Sequence, residues 1–165
     1  MKLIITDTNV FFDLISIGAL HGFFSLDYEI CTTDFVVREI IQSHQRIQIE
    51  SFISSGRLSV FNLSSDEIEE VKAFATIRSF SGITDKTVLW KSIQLGCILL
   101  TGDGKLRKEA TDHRIEVHGS IWVITELLAS GKIDHETAIR LLNNLKMINN
   151  SLPREEIDRL IKILK

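Results

Sequence analysis

Two five-residue runs constrain the fold of this chain most. Lys2–Thr6 (KLIIT) and Cys97–Thr101 (CILLT) are short and mostly apolar, with no in–out alternation. A strand of that kind is buried on both faces, which is the situation in a parallel sheet covered by helices. The rest of the chain alternates accordingly. YEICTT (28–33), RLSVFNLS (57–64) and IEVHG (115–119) read as further strands. Between them lie helical patterns: about Asn9 to Phe24 with a break near Gly18 and Gly22, then TDFVVREIIQS (33–43) capped by Thr33 or Asp34, continuing from Gln45 to Ser54 and stopping at Gly56. Ser65 opens a long amphipathic helix with Ile68, Val71, Ala75 and Ile77 on one side. SGITDKTVLWKSIQLG (81–96) is a loop and then a helix closed by Gly96, and DGKLRKEATDHR (103–114) is a short helix. Three helices finish the chain: Ser120–Ser130, Asp134 to about Asn149, and Pro153 onward. Short strands alternating with helices predict an α/β fold, a three-layer α/β/α sandwich with a mainly parallel sheet. We read one domain over residues 1–165, with a core over about 1–118 and a C-terminal helical extension over 119–165.

A chain of 165 residues can bury roughly 70% of its unfolded surface, so no disulfide or structural metal is required. Cys31 and Cys97 sit in strand-like apolar settings and are expected to be buried free thiols. The net charge of −3 excludes a protein that is basic all over and attracts nucleic acid indiscriminately. It leaves room for a local basic rim. The start, MKLII, lacks a secretory pattern because Asp7 breaks the apolar stretch at once. No apolar run approaches the roughly 20 residues of a membrane span, and a cytoplasmic protein is expected.

The chemistry gathers at strand ends. Asp7 stands where the first strand ends, in ITDTN, and Asp103 where CILLT ends, in LLTGD. Two strands of one parallel sheet deliver both acids to the same edge, outside the carboxyl ends of the strands, where ligands of such sheets bind. Two like charges there repel unless something positive lies between them. Small polar groups accompany them, Thr8 and Asn9 beside Asp7 and Thr101 near Asp103, and can orient a carboxylate or a water. Asp85 opens a helix that feeds CILLT, and Glu39 lies on the helix after YEICTT at the edge of a stripe formed by Val36, Val37, Ile40 and Ile41. Hard oxygen ligands on a rigid sheet edge suit Mg²⁺ or Mn²⁺. Such an ion generates a hydroxide and clamps a phosphodiester oxygen.

The ordered set IITDTNV, FVVREI and GITDKTVLWKSIQLGCILLTGD resembles the PIN-domain family, the metal-dependent ribonuclease fold of prokaryotic toxins. The family pattern is a first-strand Asp, a Glu on an early helix, an Asp starting a helix and an Asp after an LLT-x-D strand; these fall on Asp7, Glu39, Asp85 and Asp103. VHGSIWVITELLASGKI (117–133) resembles the tail of a bacterial subgroup. The resemblance implies cleavage of single-stranded RNA by metal-activated water, leaving a 5′-phosphate, under control of an antitoxin partner. On this reading Asp7, Asp85 and Asp103 ligate Mg²⁺ or Mn²⁺, and Glu39 ligates it or orients the attacking water. A homodimer is a further expected partner.

Lys105, Arg107 and Lys108 directly follow Asp103, and Lys86 and Lys91 lie on the neighbouring helix; such a group can form a rim for RNA phosphates or a solvated helix face. The five histidines are scattered, with no pair at ligand spacing. Trp90 and Trp122 sit on apolar stripes and are expected in the core. Two rival readings remain. One is a catalytically inactive module of the same fold that holds RNA or protein, favoured by Gly104 and Lys105 standing where many relatives carry an additional acid. The other is a Mg²⁺ phosphohydrolase, disfavoured because Asn9 replaces the second acid of an Asp-x-Asp pair.

Overall fold

In a computed structural model describing all 165 residues, five strands form one wholly parallel sheet. They are β1 (Lys2–Thr6), β2 (Tyr28–Thr33), β3 (Leu58–Phe61), β4 (Ile98–Leu100) and β5 (Val117–His118), in the order β3-β2-β1-β4-β5. The chain steps from β1 out to β3 on one side and returns to β4 and β5 on the other. The crevice between β1 and β4 is therefore the topological switch point. Ile4 pairs with Ile98 and Thr6 with Leu100, and the Asp7 N–H donates to the Leu100 carbonyl at 2.9 Å. That bond extends the ladder one residue into the crevice.

Ten helices cover the sheet. Those that build the crevice are α1 (Thr8–Ser16), α3 (Asp34–Glu39), α6 (Ile83–Leu95) and α7 (Gly104–Asp112). The extension consists of α8 (Ser120–Ala129), α9 (His135–Ile148) and α10 (Arg154–Leu164). One apolar core runs from Ile4 to Ile161 and includes Ala138, Leu141, Leu142 and Leu145 of α9 and Ile157 of α10. The terminal helices thus share the core of the sheet layer. Cys31 and Cys97 are buried free thiols, and no helix is long and apolar enough to cross a membrane.

The helix boundaries depart from the sequence reading in three places. The first break falls at Ile17–Ala19 alone. Gly22 lies inside α2 (Leu20–Phe24), where a Cβ would come within 3.2 Å of Leu127 on α8, so it serves close packing rather than a turn. The helix after β2 stops at Glu39, and Ile41 is 82% exposed instead of continuing a buried stripe; α4 (Ser43–Ser54) starts separately. The helix opened by Ser65 is α5 (Ser65–Ala73), started by a capping box of Ser64 with Glu67, and it stops before Ala75 and Ile77. Ile77 is 79% exposed, because residues 74–82 are drawn off as a loop. Glu109 of α7, fully buried, accepts hydrogen bonds from the backbone N–H groups of Ile77 and Arg78 at 2.8 and 3.1 Å and from the Arg78 guanidinium at 3.1 Å. Burial pushes that carboxyl upward, but these donors outweigh it and hold it below the usual range. Trp90 is buried as expected, whereas Trp122 is only half-buried.

Candidate active site

Asp7 is 3% exposed, and both of its oxygens are held. Oδ1 accepts the Thr8 N–H at 2.8 Å. Oδ2 accepts the Thr101 hydroxyl at 2.8 Å and the Asn9 amide at 3.2 Å. Asp7 is thus at once the N-cap of α1 and a fixed carboxylate at the switch point. Thr101, arriving from β4, also accepts the Asp103 N–H on its hydroxyl at 3.1 Å. One hydroxyl therefore ties the two strand ends together. Asn9 repeats the link by accepting the Gly102 N–H at 2.9 Å.

Asp103 is the N-cap of α7; its Oδ1 accepts the Leu106 N–H at 2.8 Å. Glu39 ends α3 and is exposed, yet Thr8 donates its hydroxyl to Glu39 Oε2 at 2.7 Å. Asp85 lies in the first turn of α6 and is half-buried. The structure therefore brings all four acids to one edge, and Thr8, Asn9 and Thr101 are the groups that orient the Asp7 and Glu39 carboxylates.

The electrostatics fit that convergence. Burial, followed by the charges of Glu39 and Asp103, pushes Asp7 up to about 6, against hydrogen bonds from Thr101 and Thr8 that pull it down. Burial, then Asp7, Asp103 and Glu39, pushes Asp85 up to about 7, with no hydrogen bond opposing. No cationic side chain offsets either acid. Carboxylate oxygens are the donors a hard divalent cation takes, and the chemistry of these four residues fits that group. No three His, Cys, Asp or Glu side chains are already drawn together as a ready ligand set. Four like charges with nothing positive between them have reason to stand apart.

The basic rim is smaller than the sequence suggests. Lys86 donates to the Phe74 carbonyl at 2.8 Å and fastens the end of α5, which spends part of its ammonium inside the protein. Lys91 pairs with Glu67 at 3.3 Å and lies over the Phe61 ring. Arg107 gives one N–H to the Thr101 carbonyl at 2.9 Å. Lys105 and Lys108 are exposed.

Two acids that sequence reasoning passed over support the site. Glu109 anchors the loop that leads into Asp85. Asp13 is buried and accepts the Ser120 hydroxyl at 2.6 Å and the Asn149 amide at 3.0 Å; burial raises its pKa against those two donors. The signal for Asp13 was its position inside the apolar run VFFDLI, four residues after Asn9. Glu109 gave none, since LRKEATDH reads as a solvated face.

Comparison with known proteins gives three results. No curated protein matches the chain. Among solved structures, a PilT N-terminus domain protein from the hyperthermophilic archaeon Sulfolobus solfataricus P2 aligns over 78% of this chain and 94% of its own, at 12% identity and a TM-score of 0.49. A domain of a functionally unknown protein from Methanocaldococcus jannaschii DSM 2661 aligns over 72% and 91%, at 21% identity and a TM-score of 0.44. Residues 3–165 match the family model described as a PIN domain. PIN domains are typically nucleases and generally use divalent metal ions. The chain belongs to the PIN-domain family.

Proposed function

We propose that this protein is a Mg²⁺- or Mn²⁺-dependent endoribonuclease that hydrolyses single-stranded RNA and acts as the toxin of a toxin–antitoxin pair. The observation that supports the nuclease reading is that four elements each bring one carboxylate to the edge of the switch-point crevice, with no cation of the protein's own to offset Asp7 or Asp85. A divalent ion held by Asp7, Asp85 and Asp103 would supply charge neutralisation and Lewis acidity at a phosphodiester. The chain's own residues do the positioning. Thr101, Asn9 and the Thr8 N–H lock the Asp7 carboxylate so that it cannot rotate away. Thr8 holds one oxygen of Glu39 and leaves the other to orient a water or take its proton. Lys105 and Lys108 face solvent beside Asp103 and can meet RNA phosphates.

Cleavage of an end-labelled single-stranded RNA is expected in Mn²⁺, with 5′-phosphate products, and no cleavage in chelator. Cleavage indifferent to chelator would reject the reading. The toxin role rests on the family resemblance: expression of the chain alone is expected to arrest growth, and Asp85→Asn to relieve the arrest. The absence of a tightly gathered ligand set favours one second reading, a PIN-like module that binds RNA or protein without cleaving it. That module would hold the same RNA with equal affinity in Mn²⁺ and in chelator and leave it intact.

A further inference from the structure

We propose that the C-terminal helices complete a base-reading pocket, in which an unstacked guanine of the RNA lies against the Trp122–His118 pair and is recognised by Glu156, next to the phosphodiester to be cut. The inference rests on the ribonuclease reading for its substrate class.

A cavity of about 440 Å³ opens beside the acidic edge. Gly102 and Gly104, which flank Asp103, form one side of it; Leu152, Glu156 and Leu160 of the extension form the other. Its volume is in the usual range for small-molecule sites. A nucleotide bound there is an immediate neighbour of whatever phosphate meets Asp103. Neither half of the chain makes this cavity alone.

The wall is built and held. Asp13, one turn beyond Asn9 on α1, accepts from Ser120 at the start of α8 and from Asn149. Asn149 in turn accepts the Ser151 N–H at 3.1 Å and its hydroxyl at 2.6 Å. Ser120 and Ser151 both line the cavity, so the helix that carries Asn9 to Asp7 also fixes the pocket. Gly119 permits a further contact: a Cβ there would come within 3.2 Å of Arg107 Nη1 and 3.4 Å of the Thr101 carbonyl. The guanidinium, spending one N–H on that carbonyl, keeps others for a phosphate.

The recognition chemistry is that of single-stranded RNA. Trp122 and His118 line the cavity, their rings stacked as a pair at 4.5 Å and 9°, and Tyr28 meets Trp122 at 62° with ring centroids 5.6 Å apart. Single-stranded RNA is read by splaying a base onto an aromatic surface and hydrogen-bonding its pairing edge. Glu156 is exposed in the cavity mouth and forms no ion pair. An ionised carboxylate only accepts hydrogen bonds. Guanine offers two adjacent donors, N1–H and N2–H₂, to its two oxygens. Uracil flanks its single N3–H with two carbonyls that a carboxylate repels.

The test is calorimetric titration of the full chain, in chelator, with guanosine 5′-monophosphate and uridine 5′-monophosphate. It is paired with quenching of Trp122 fluorescence in a Trp90→Phe background. Guanosine monophosphate is expected to bind about tenfold or more tighter, a discrimination typical of a bidentate base contact, and to quench saturably. Glu156→Gln is expected to bring the two nucleotides to within about twofold without changing the melting temperature, since Glu156 is exposed. Equal affinities in the parent, no saturable binding, or a preference unchanged by Glu156→Gln would each overturn the pocket. Because no cleavage enters the readout, the two ideas fail separately. A chain that prefers guanosine but never cuts RNA loses the nuclease reading, and one that cuts RNA but shows no preference loses the pocket.

Discussion

Asp7 carries two jobs that conflict without a cation: it caps a helix, and it shares a crevice with three other acids. The pH dependence of stability separates them. Folding raises Asp7 to about 6 and Asp85 to about 7 from an ordinary value of 3.8, so the folded chain holds these protons more tightly than the unfolded one. Their destabilising effect is full above about pH 7 and fades as pH falls toward 4. In chelator, Asp7→Asn is therefore expected to melt higher than the parent at pH 8, by on the order of 1–3 kcal/mol after allowance for solvent screening. The gap should close near pH 4, and ribonuclease activity in Mn²⁺ should be lost. A residue that only caps would give equal melts at every pH and intact cleavage. One residue back, at the end of the strand, the Thr6 hydroxyl is buried with no hydrogen-bond partner. Thr6→Val, close in shape, is expected to raise stability by about 1 kcal/mol, and a lower melting temperature would mean that hydroxyl has work to do. Asp7 was legible in the sequence because a strand end is a local feature. The roles of Asp13 and Glu109 were not, because their partners lie far along the chain: Ser120 is 107 residues from Asp13, and Ile77 is 32 from Glu109.

At the scale of elements, local pattern served where local physics decides. The unalternating runs of β1 and β4, the opening of α5 at Ser65 and the left-handed Gly96 that closes α6 are all contained within a few neighbouring residues. Pattern failed where a distant group outbid helical continuation. Ala75 and Ile77 extend the periodicity of α5 on paper, but the loop 74–82 is tied instead to Glu109, and Lys86 reaches back to the Phe74 carbonyl. That loop sets the entry of α6 and hence the place of Asp85. Glu109→Ala leaves the Ile77 and Arg78 N–H groups without their acceptor, at a cost on the order of 1–3 kcal/mol. The sharper expectation is local. Limited proteolysis should cut within residues 74–82 in the variant well before the parent, and metal affinity should fall because Asp85 is no longer held. A variant cleaved no faster than the parent would show that the loop is held by something other than this carboxylate.

At the scale of the whole molecule, one apolar cluster joins the terminal helices to the sheet layer. Leu141, Leu142 and Leu145 of α9 and Ile157 of α10 lie in the same apolar core as Ile4 and Phe11, and α9 packs on α1, α8 and α10. Stripping residues 134–165 would expose the faces of α1 and α8, the two helices that carry Asn9, Asp13 and Ser120. A chain ending at Ile133 is therefore expected to be insoluble or unfolded rather than a smaller working domain. A point substitution asks the same question more gently. Leu142 is 1% exposed, and Leu142→Ala removes buried methyl groups and leaves a cavity, at a cost of about 2–5 kcal/mol. For a domain of this size each kcal/mol lowers the melting temperature by about 2–4 °C. A fall of roughly 5–20 °C in a single transition is thus expected, with metal-dependent cleavage retained at temperatures where the variant stays folded, because Leu142 belongs to the apolar core. A truncated chain that stayed soluble and melted like the parent, or a Leu142 variant that melted in two steps, would show that the terminal helices are an independent appendage. The base-reading pocket would then have lost the rigid wall on which it depends.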